Sequence, residues 1–279
     1  MNNLNVNLVG HGFVPVPITL DQHIFGVQRI GDPIQHNGDW RQYLPTEERQ
    51  ARLFFDTFGC TIYNTVKPIQ ILERKLFGEQ SDYSERFVYI GTETMPPGNN
   101  PHVIAEWIRK NGLIPEARLP FTDELQSLDQ YASPKPLLSN HIEEGRRWIA
   151  QKDFLHDWVF SGGTPKEKND ALKEAIRRAP LAVSVVGWKE YNGIYVKDEG
   201  EPDNHWSCLV AFEGDSPIIF DSYAPFIKKL APLYDFGFAK RYTVFKKPKS
   251  IIPIKKSFWQ KVNDAFTHRS SDGICPKCT

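Results

Sequence analysis

Two apolar runs close together in the second half of the chain constrain its fold more than any other feature. The first is Asn204-His205-Trp206-Ser207-Cys208-Leu209-Val210-Ala211-Phe212, and the second is Ile218-Ile219-Phe220-Asp221-Ser222-Tyr223. Both are rich in β-branched and aromatic residues. Between them lies Glu213-Gly214-Asp215-Ser216-Pro217, a turn-forming cluster, so the pair reads as a β-hairpin. Pairing around that turn brings the start of one strand beside the end of the other. His205 then meets Asp221, an imidazole against a carboxylate. Such a couple at a strand end lacks only a nucleophile, and Cys60, within Phe55-Asp56-Thr57-Phe58-Gly59-Cys60-Thr61-Ile62-Tyr63, is the candidate.

The rest of the chain divides by pattern. Residues 1–38 carry Pro15, Pro17 and Pro33 and no sustained period, which predicts a loop-rich lead-in packed along the body. From Cys60 onward, Ile62, Val66, Ile69, Leu72 and Leu76 recur every three or four residues, predicting a helix with one apolar stripe that ends near Gly78. Pro68 lacks an amide hydrogen and is expected to kink or interrupt that helix. Asn100-Pro101 opens a second helix, with Val103, Ile104, Trp107 and Ile108 on one face and Gly112 as its stop. A third runs from His141 to about Gln151, and a fourth starts at the capping-box spacing Thr164-Pro165-Lys166-Glu167 and ends before Pro180. Beyond Pro180 the runs Leu181–Val186, Ile194–Val196 and Tyr242–Phe245 read as strands flanking the hairpin. A helical first half and an antiparallel second half predict an α+β fold of two lobes, with a ligand cleft between them.

Composition narrows the partners. Lys+Arg and Asp+Glu both number 34 in 279 residues, so no broad attraction to nucleic acid or an anionic membrane is expected. No stretch approaches the roughly 20 apolar residues of a membrane span, and the first residues lack a signal-peptide pattern, which reads as cytoplasmic. Nothing in the sequence supports association with a virion. Four cysteines are too few for a disulfide framework. Cys275-Pro276-Lys277-Cys278 is a single CxxC, equally a zinc half-site, a redox pair or neither, within a basic tail over 247–279. No metal-ligand cluster and no phosphate-cradling glycine loop is present, so neither a metal nor another cofactor is expected.

The expected chemistry is acyl transfer through a thiolate. A cysteine at a helix start beside an imidazolium ionises readily, and Gly59 just before it lets main chain approach a substrate. The thiolate attacks a carbonyl, the imidazolium protonates the leaving amine, and Asp221 fixes the ring tautomer. Cys208, inside an apolar run, reads as core.

The order of these elements resembles the papain-like cysteine peptidases. The 145-residue separation of Cys60 and His205 falls in the family window of about 130–150. Asp39-Trp40-Arg41 resembles the start of the mature family domain, and Ser84-Glu85-Arg86-Phe87 the segment after its central helix. Pro97-Gly98-Asn99-Asn100 sits where the family has a Gly-Gly strip that hydrogen-bonds substrate main chain. Leu172–Ile176 through Pro180–Val183 resembles the passage into the His strand, Asn204-His205 its start, and Asp221-Ser222-Tyr223 the Asn-Ser-Trp that follows 16 residues later.

The resemblance spans about residues 39–246 and implies a helical lobe over about 39–135 and a β-rich lobe over about 136–246. It implies a catalytic set of Cys60, His205 and Asp221, with Gln50 as the oxyanion donor. It also implies substrate contacts at Gly59, Gly98, Asn99, Asn204 and Tyr223, a peptide or protein substrate, and no cofactor. Three features depart from the family pattern. Thr61 replaces the usual Trp, Asp221 replaces Asn, and Gln50 lies ten positions before the cysteine instead of six, where Phe54 stands. The family's inhibitory pro-region of about a hundred residues has no counterpart in the 38 residues before Asp39, so any restraint on activity takes another form. Another thiol acyl transfer, such as cross-linking or cell-wall amide hydrolysis, and a non-catalytic peptide-binding relative are the alternative readings.

Overall fold

The computed structural model describes residues 12–19, 22, 34–198 and 200–247, all within one compact unit that ends at Lys247. The Cys275/Cys278 pair, His11, His23 and His268 lie outside the described residues.

The helix opened by the nucleophile, α1 (Cys60–Phe77), is the axis of the molecule, and it closes at Gly78 in the left-handed conformation as its sequence predicts. Two expectations about it fail. Every residue from Cys60 to Glu73 is buried, so the helix is enclosed on all sides instead of presenting one stripe, and Leu76 is exposed. Pro68 does not interrupt it. A mid-helix proline costs about 3 kcal/mol, a penalty that enclosure of four turns in the core offsets.

Around α1 pack α2 (Glu85–Gly91) and α3 (Pro101–Asn111). Asn100 caps α3, accepting the amides of His102 and Val103 at 2.7 and 3.4 Å. Ile104 and Ile108 are buried, but Val103 faces solvent, so the buried face is narrower than its sequence suggests. A short α4 (Leu128–Tyr131) precedes α5 (Ser139–Gln151), which packs on α3. Helix α6 (Pro165–Ala175) starts at a complete capping box between Thr164 and Glu167.

The remaining elements are β1 (Lys152–Trp158), β2 (Leu181–Val185), β3 (Lys189–Tyr191), β4 (Ile194–Val196), β5 (His205–Glu213), β6 (Ser216–Phe220), β7 (Ile227–Lys229) and β8 (Ala239–Lys246). Six of them form one antiparallel sheet in the order β1-β8-β2-β5-β6-β7, and β3 and β4 form a separate hairpin. The architecture is α+β with two lobes, helices first and antiparallel sheet second. The β5–β6 hairpin pairs Cys208 with Phe220, which leaves His205 at the open end near Asp221. Trp40 ties the segment before α1 to the sheet half. Its indole donates to Ile176 O at 2.7 Å and its amide to Val210 O at 2.9 Å. Among the described residues no helix is long and apolar enough to cross a membrane.

Three carboxyls, Glu48, Glu85 and Glu116, interact with one another. Burial pushes Glu48 and Glu116 up to about 7, and Glu85 well above its ordinary value, and the charges of neighbouring carboxylates add to the rise. The folded chain therefore keeps protons that the unfolded chain releases near 4.5, so this cluster lowers stability as pH rises from about 4.5 to about 7. Glu116→Gln is expected to raise the melting temperature by a few degrees at about pH 8 and to leave it nearly unchanged at about pH 4. Thermal unfolding at the two pH values checks this, and an equal change at both would contradict it.

Candidate active site

The turn before α1 is built by side chains that fold back on its main chain. Asp56 Oδ1 accepts the Phe58 amide at 2.7 Å, and Thr57 Oγ1 accepts the Gly59 amide at 3.1 Å. Phe58 takes a positive φ of 54°, and Gly59 precedes the first helical residue without a side-chain cap. A β-carbon on Gly59 would stand 2.9 Å from Thr57 Oγ1, so a side chain there would displace the hydroxyl that accepts the Gly59 amide. Cys60 is the first residue of an 18-residue helix with no acid in its first turn, so the positive end of the helix dipole favours its thiolate, against the carboxylates of Asp221 and Asp56 nearby.

On the sheet side, His205 Nε2 lies 2.7 Å from Asp221 Oδ1. Both residues are fully buried. The ring is flanked by Trp188 and Tyr223, with centroids 5.5 and 5.2 Å away. The opposite nitrogen, Nδ1, makes no hydrogen bond within the protein. Asp221 is held ionised. Burial alone would raise it, but His205 and then Lys228 outweigh that and bring it far below the usual carboxylate range. Cys60 lies beside the start of β5, where the main-chain amides of Trp206 and Thr61 favour its thiolate but do not offset the effect of burial.

Gln50 departs from its expected place as a free donor. It is fully buried, and both amide hydrogens are already used, on Asp56 Oδ1 at 3.1 Å and Tyr223 Oη at 2.7 Å. Its carbonyl accepts Ser222 Oγ at 2.6 Å, and Tyr223 donates to Asp56 Oδ2. Gln50 therefore clasps the turn before α1 to the loop after β6. Asn204 accepts the Gly187 amide at 3.0 Å and so fixes the entry to β5.

The expectation of a sulfur open to a groove is not met. Cys60 is 0% exposed, and burial pushes its thiol up. What covers it is the segment around Gly12, part of the lead-in. A β-carbon on Gly12 would lie 2.6 Å from Cys60 Sγ and 2.6 Å from Phe58 O. The next residues run beside the glycine strip. Asn99 donates to Gly12 O at 3.0 Å and accepts from Val14 at 3.1 Å, a parallel bridge, and the Phe13 amide reaches Asn204 O at 3.5 Å. Gly98, at φ +125°, has Gly12 O where a β-carbon would be, 2.1 Å away. Phe13 stacks on Trp206 at 5.2 Å and touches Phe238. The structure thus brings Cys60, Gly59, Gly98, Asn99, Asn204, His205 and Asp221 to one place, covered by residues 12–14. Sequence reasoning missed the covering segment, Asp56, Ser207 and Lys228.

No protein-family model and no curated protein matches this chain. Solved structures do resemble it. Procathepsin L 3 of the Tenebrio molitor larval midgut superposes with a TM-score of 0.57 at 13% identity, over 84% of this chain and 76% of that one. A stem bromelain precursor gives 0.52 at 12% identity, over 90% and 81%. The proform of Amb a 11, a cysteine protease and ragweed pollen allergen, gives 0.51 at 15% identity, over 80% and 69%. The fold is papain-like.

Proposed function

We propose that this papain-like chain is a cysteine peptidase whose domain spans residues 39–246, with Cys60 as nucleophile, His205 as its acid and base, and Asp221 orienting the ring. The observation that carries the reading is the buried His205–Asp221 couple. Its second ring nitrogen is left without a partner within the protein, on the strand whose next amide, that of Trp206, acts on the Cys60 thiol to favour its thiolate.

The steps follow from those positions. His205 Nδ1 takes the thiol proton, and the sulfur adds to the carbonyl carbon of a peptide bond. The C–N bond breaks, and the amine leaves with the proton from His205. A water, deprotonated by the same ring, then displaces the sulfur, which releases the acid and restores the thiol. The Cys60 main-chain N–H at the helix start is placed to stabilise the oxyanion, and Gln50 braces the turn that presents it. Extended substrate main chain would run beside Gly98 and pair with Asn99, whose amide and carbonyl Gly12 and Val14 occupy. Substrate therefore enters only after residues 12–14 leave, and their departure hydrates the thiol and lets the helix terminus and imidazole lower its pKa.

A substrate panel separates this reading from other thiol acyl transfers. Unfolded protein is expected to be cut at main-chain amides, with no glutamine–lysine cross-links formed and no release from muropeptides. Mass spectrometry of the products reads all three. Cross-linking or muropeptide release without main-chain cleavage would replace the peptidase reading.

A further inference from the structure

The residue beside the imidazole is a carboxylate, Asp221, and a buried full charge there needs a counter-charge. Lys228, the middle residue of β7, supplies one. Its Nζ donates to Asp221 Oδ2 at 2.7 Å, to Tyr223 O at 2.6 Å and to Pro225 O at 2.6 Å, so all three ammonium hydrogens are used. Lys228 is 1% exposed and lies 4.8 Å from the centre of the Trp188 ring, which also flanks His205. Ser207 Oγ donates to Asp221 Oδ1 at 2.7 Å, alongside the ring nitrogen. The carboxylate is therefore saturated, with His205 and Ser207 on one oxygen and Lys228 on the other.

Resting on the peptidase reading of Cys60 and His205, we propose that Lys228 is a positioning residue. It cancels the charge of Asp221, so that His205 meets a hydrogen-bond acceptor of nearly zero net charge, and it fixes that acceptor's plane. An isolated buried carboxylate at 2.7 Å would hold the ring as imidazolium far into the alkaline range and so disable it as a base. An isolated ammonium, with Asp221 made neutral, would do the reverse.

The other charged or titratable groups around the ring do not substitute for Lys228. Lys67 on α1 donates to the main-chain oxygen of Asp221 at 2.8 Å and not to its carboxylate. Asp56 and Tyr223 are bonded to each other. Tyr195 is held in its neutral form by burial, and Cys60 is the partner itself.

The test uses the full chain and four variants: Lys228→Met, Asp221→Asn, the double variant, and Lys228→Arg. The titration of the His205 ring is followed by NMR alongside the pH profile of peptide cleavage. Relative to the unaltered protein, Lys228→Met is expected to move the ring midpoint up by at least about one pH unit, and Asp221→Asn to move it down. The double variant is expected to return it to within about half a unit, and Lys228→Arg to leave it nearly in place.

A merely structural Lys228 would lower thermal stability in the single and double variants alike without these opposed displacements. That result, or a double variant that stays as displaced as Lys228→Met, overturns the proposal. If Lys228→Met does not fold, the sign of the Asp221→Asn displacement and the return in the double variant decide. The ring titration is read whether or not any peptide is cut. Absence of cleavage with the expected displacements would defeat the peptidase reading alone.

Discussion

Cys60→Ala is expected to abolish peptide cleavage, by at least about 10⁴-fold in kcat/KM, while destabilising the fold by no more than about 2 kcal/mol. The two effects differ because the sulfur does two separable things. In the resting protein it is one small buried side chain at the start of α1, with main-chain amides around it, and alanine keeps the helix and most of the packing. In the reaction it is the atom that bonds to carbon, for which alanine offers no replacement. His205→Ala should lose a comparable factor in cleavage but cost more in stability, because it strips Asp221 Oδ1 of a buried partner at 2.7 Å. Peptide cleavage measured beside thermal unfolding checks both variants. Retained cleavage in Cys60→Ala would move the nucleophile elsewhere.

Gly12→Val is expected to do the opposite and raise the reactivity of the Cys60 thiol toward iodoacetamide by at least about tenfold. The β-carbon of any side chain at position 12 would sit 2.6 Å from the sulfur and 2.6 Å from Phe58 O, a main-chain atom fixed by the turn. Relief must therefore come from the lead-in segment. Among the described residues, 12–14 are held by main-chain bonds to Asn99 and Asn204, a side-chain bond from Asn100 to Val14 O at 3.2 Å, and Phe13 buried against Trp206 and Phe238. Each hydrogen bond contributes about 1 kcal/mol net and the phenyl ring about 2–3 kcal/mol. An overpacking clash of about 1–3 kcal/mol is a large part of that total, and each 1.4 kcal/mol shifts the closed-to-open ratio tenfold. Phe13→Ala tests the same point by removing an attraction, and should expose the thiol to a similar degree. Unchanged alkylation in both variants would mean that residues 12–14 are not what shields the sulfur.

The parts of this molecule that were legible in its sequence are those set by neighbours a few residues away. The β5–β6 hairpin, the Asn100 cap, the Thr164 capping box and the Gly78 stop each depend on contacts within one turn, so residue type and spacing suffice. The same locality placed Cys60 at a helix start and His205 near Asp221.

What escaped depends on distant partners. β1 follows α5 with no turn residue between them, and its charged residues find partners far away in sequence, Asp157 with Arg241 of β8 at 2.6 Å and Lys152 with Glu73 of α1 at 2.6 Å. Pro68 survives in α1 because the core encloses the helix from every side, a fact about packing that no window around residue 68 contains. In β7 a hydrophobicity reading would bury Ile227 and expose Lys228. The structure does the reverse, because an ion pair with Asp221 outweighs one isoleucine. Gln50 was found as a residue but not in its role, since its side-chain partners Asp56, Ser222 and Tyr223 lie six, 172 and 173 positions away. Nothing in the composition of residues 12–14 announces that they lie on the nucleophile.

The central claim is that the sulfur of Cys60 is activated by His205 for attack on an acyl carbon. The most direct measurement is the rate and site of covalent modification by a peptidyl acyloxymethyl ketone, read by intact mass and peptide mapping in the unaltered protein, Gly12→Val, and Gly12→Val with His205→Ala. A single adduct on Cys60 is expected, formed faster in Gly12→Val and slowed at least about 100-fold when His205 is removed. Adduct formation at the same rate without His205, or on a cysteine other than Cys60, would contradict it.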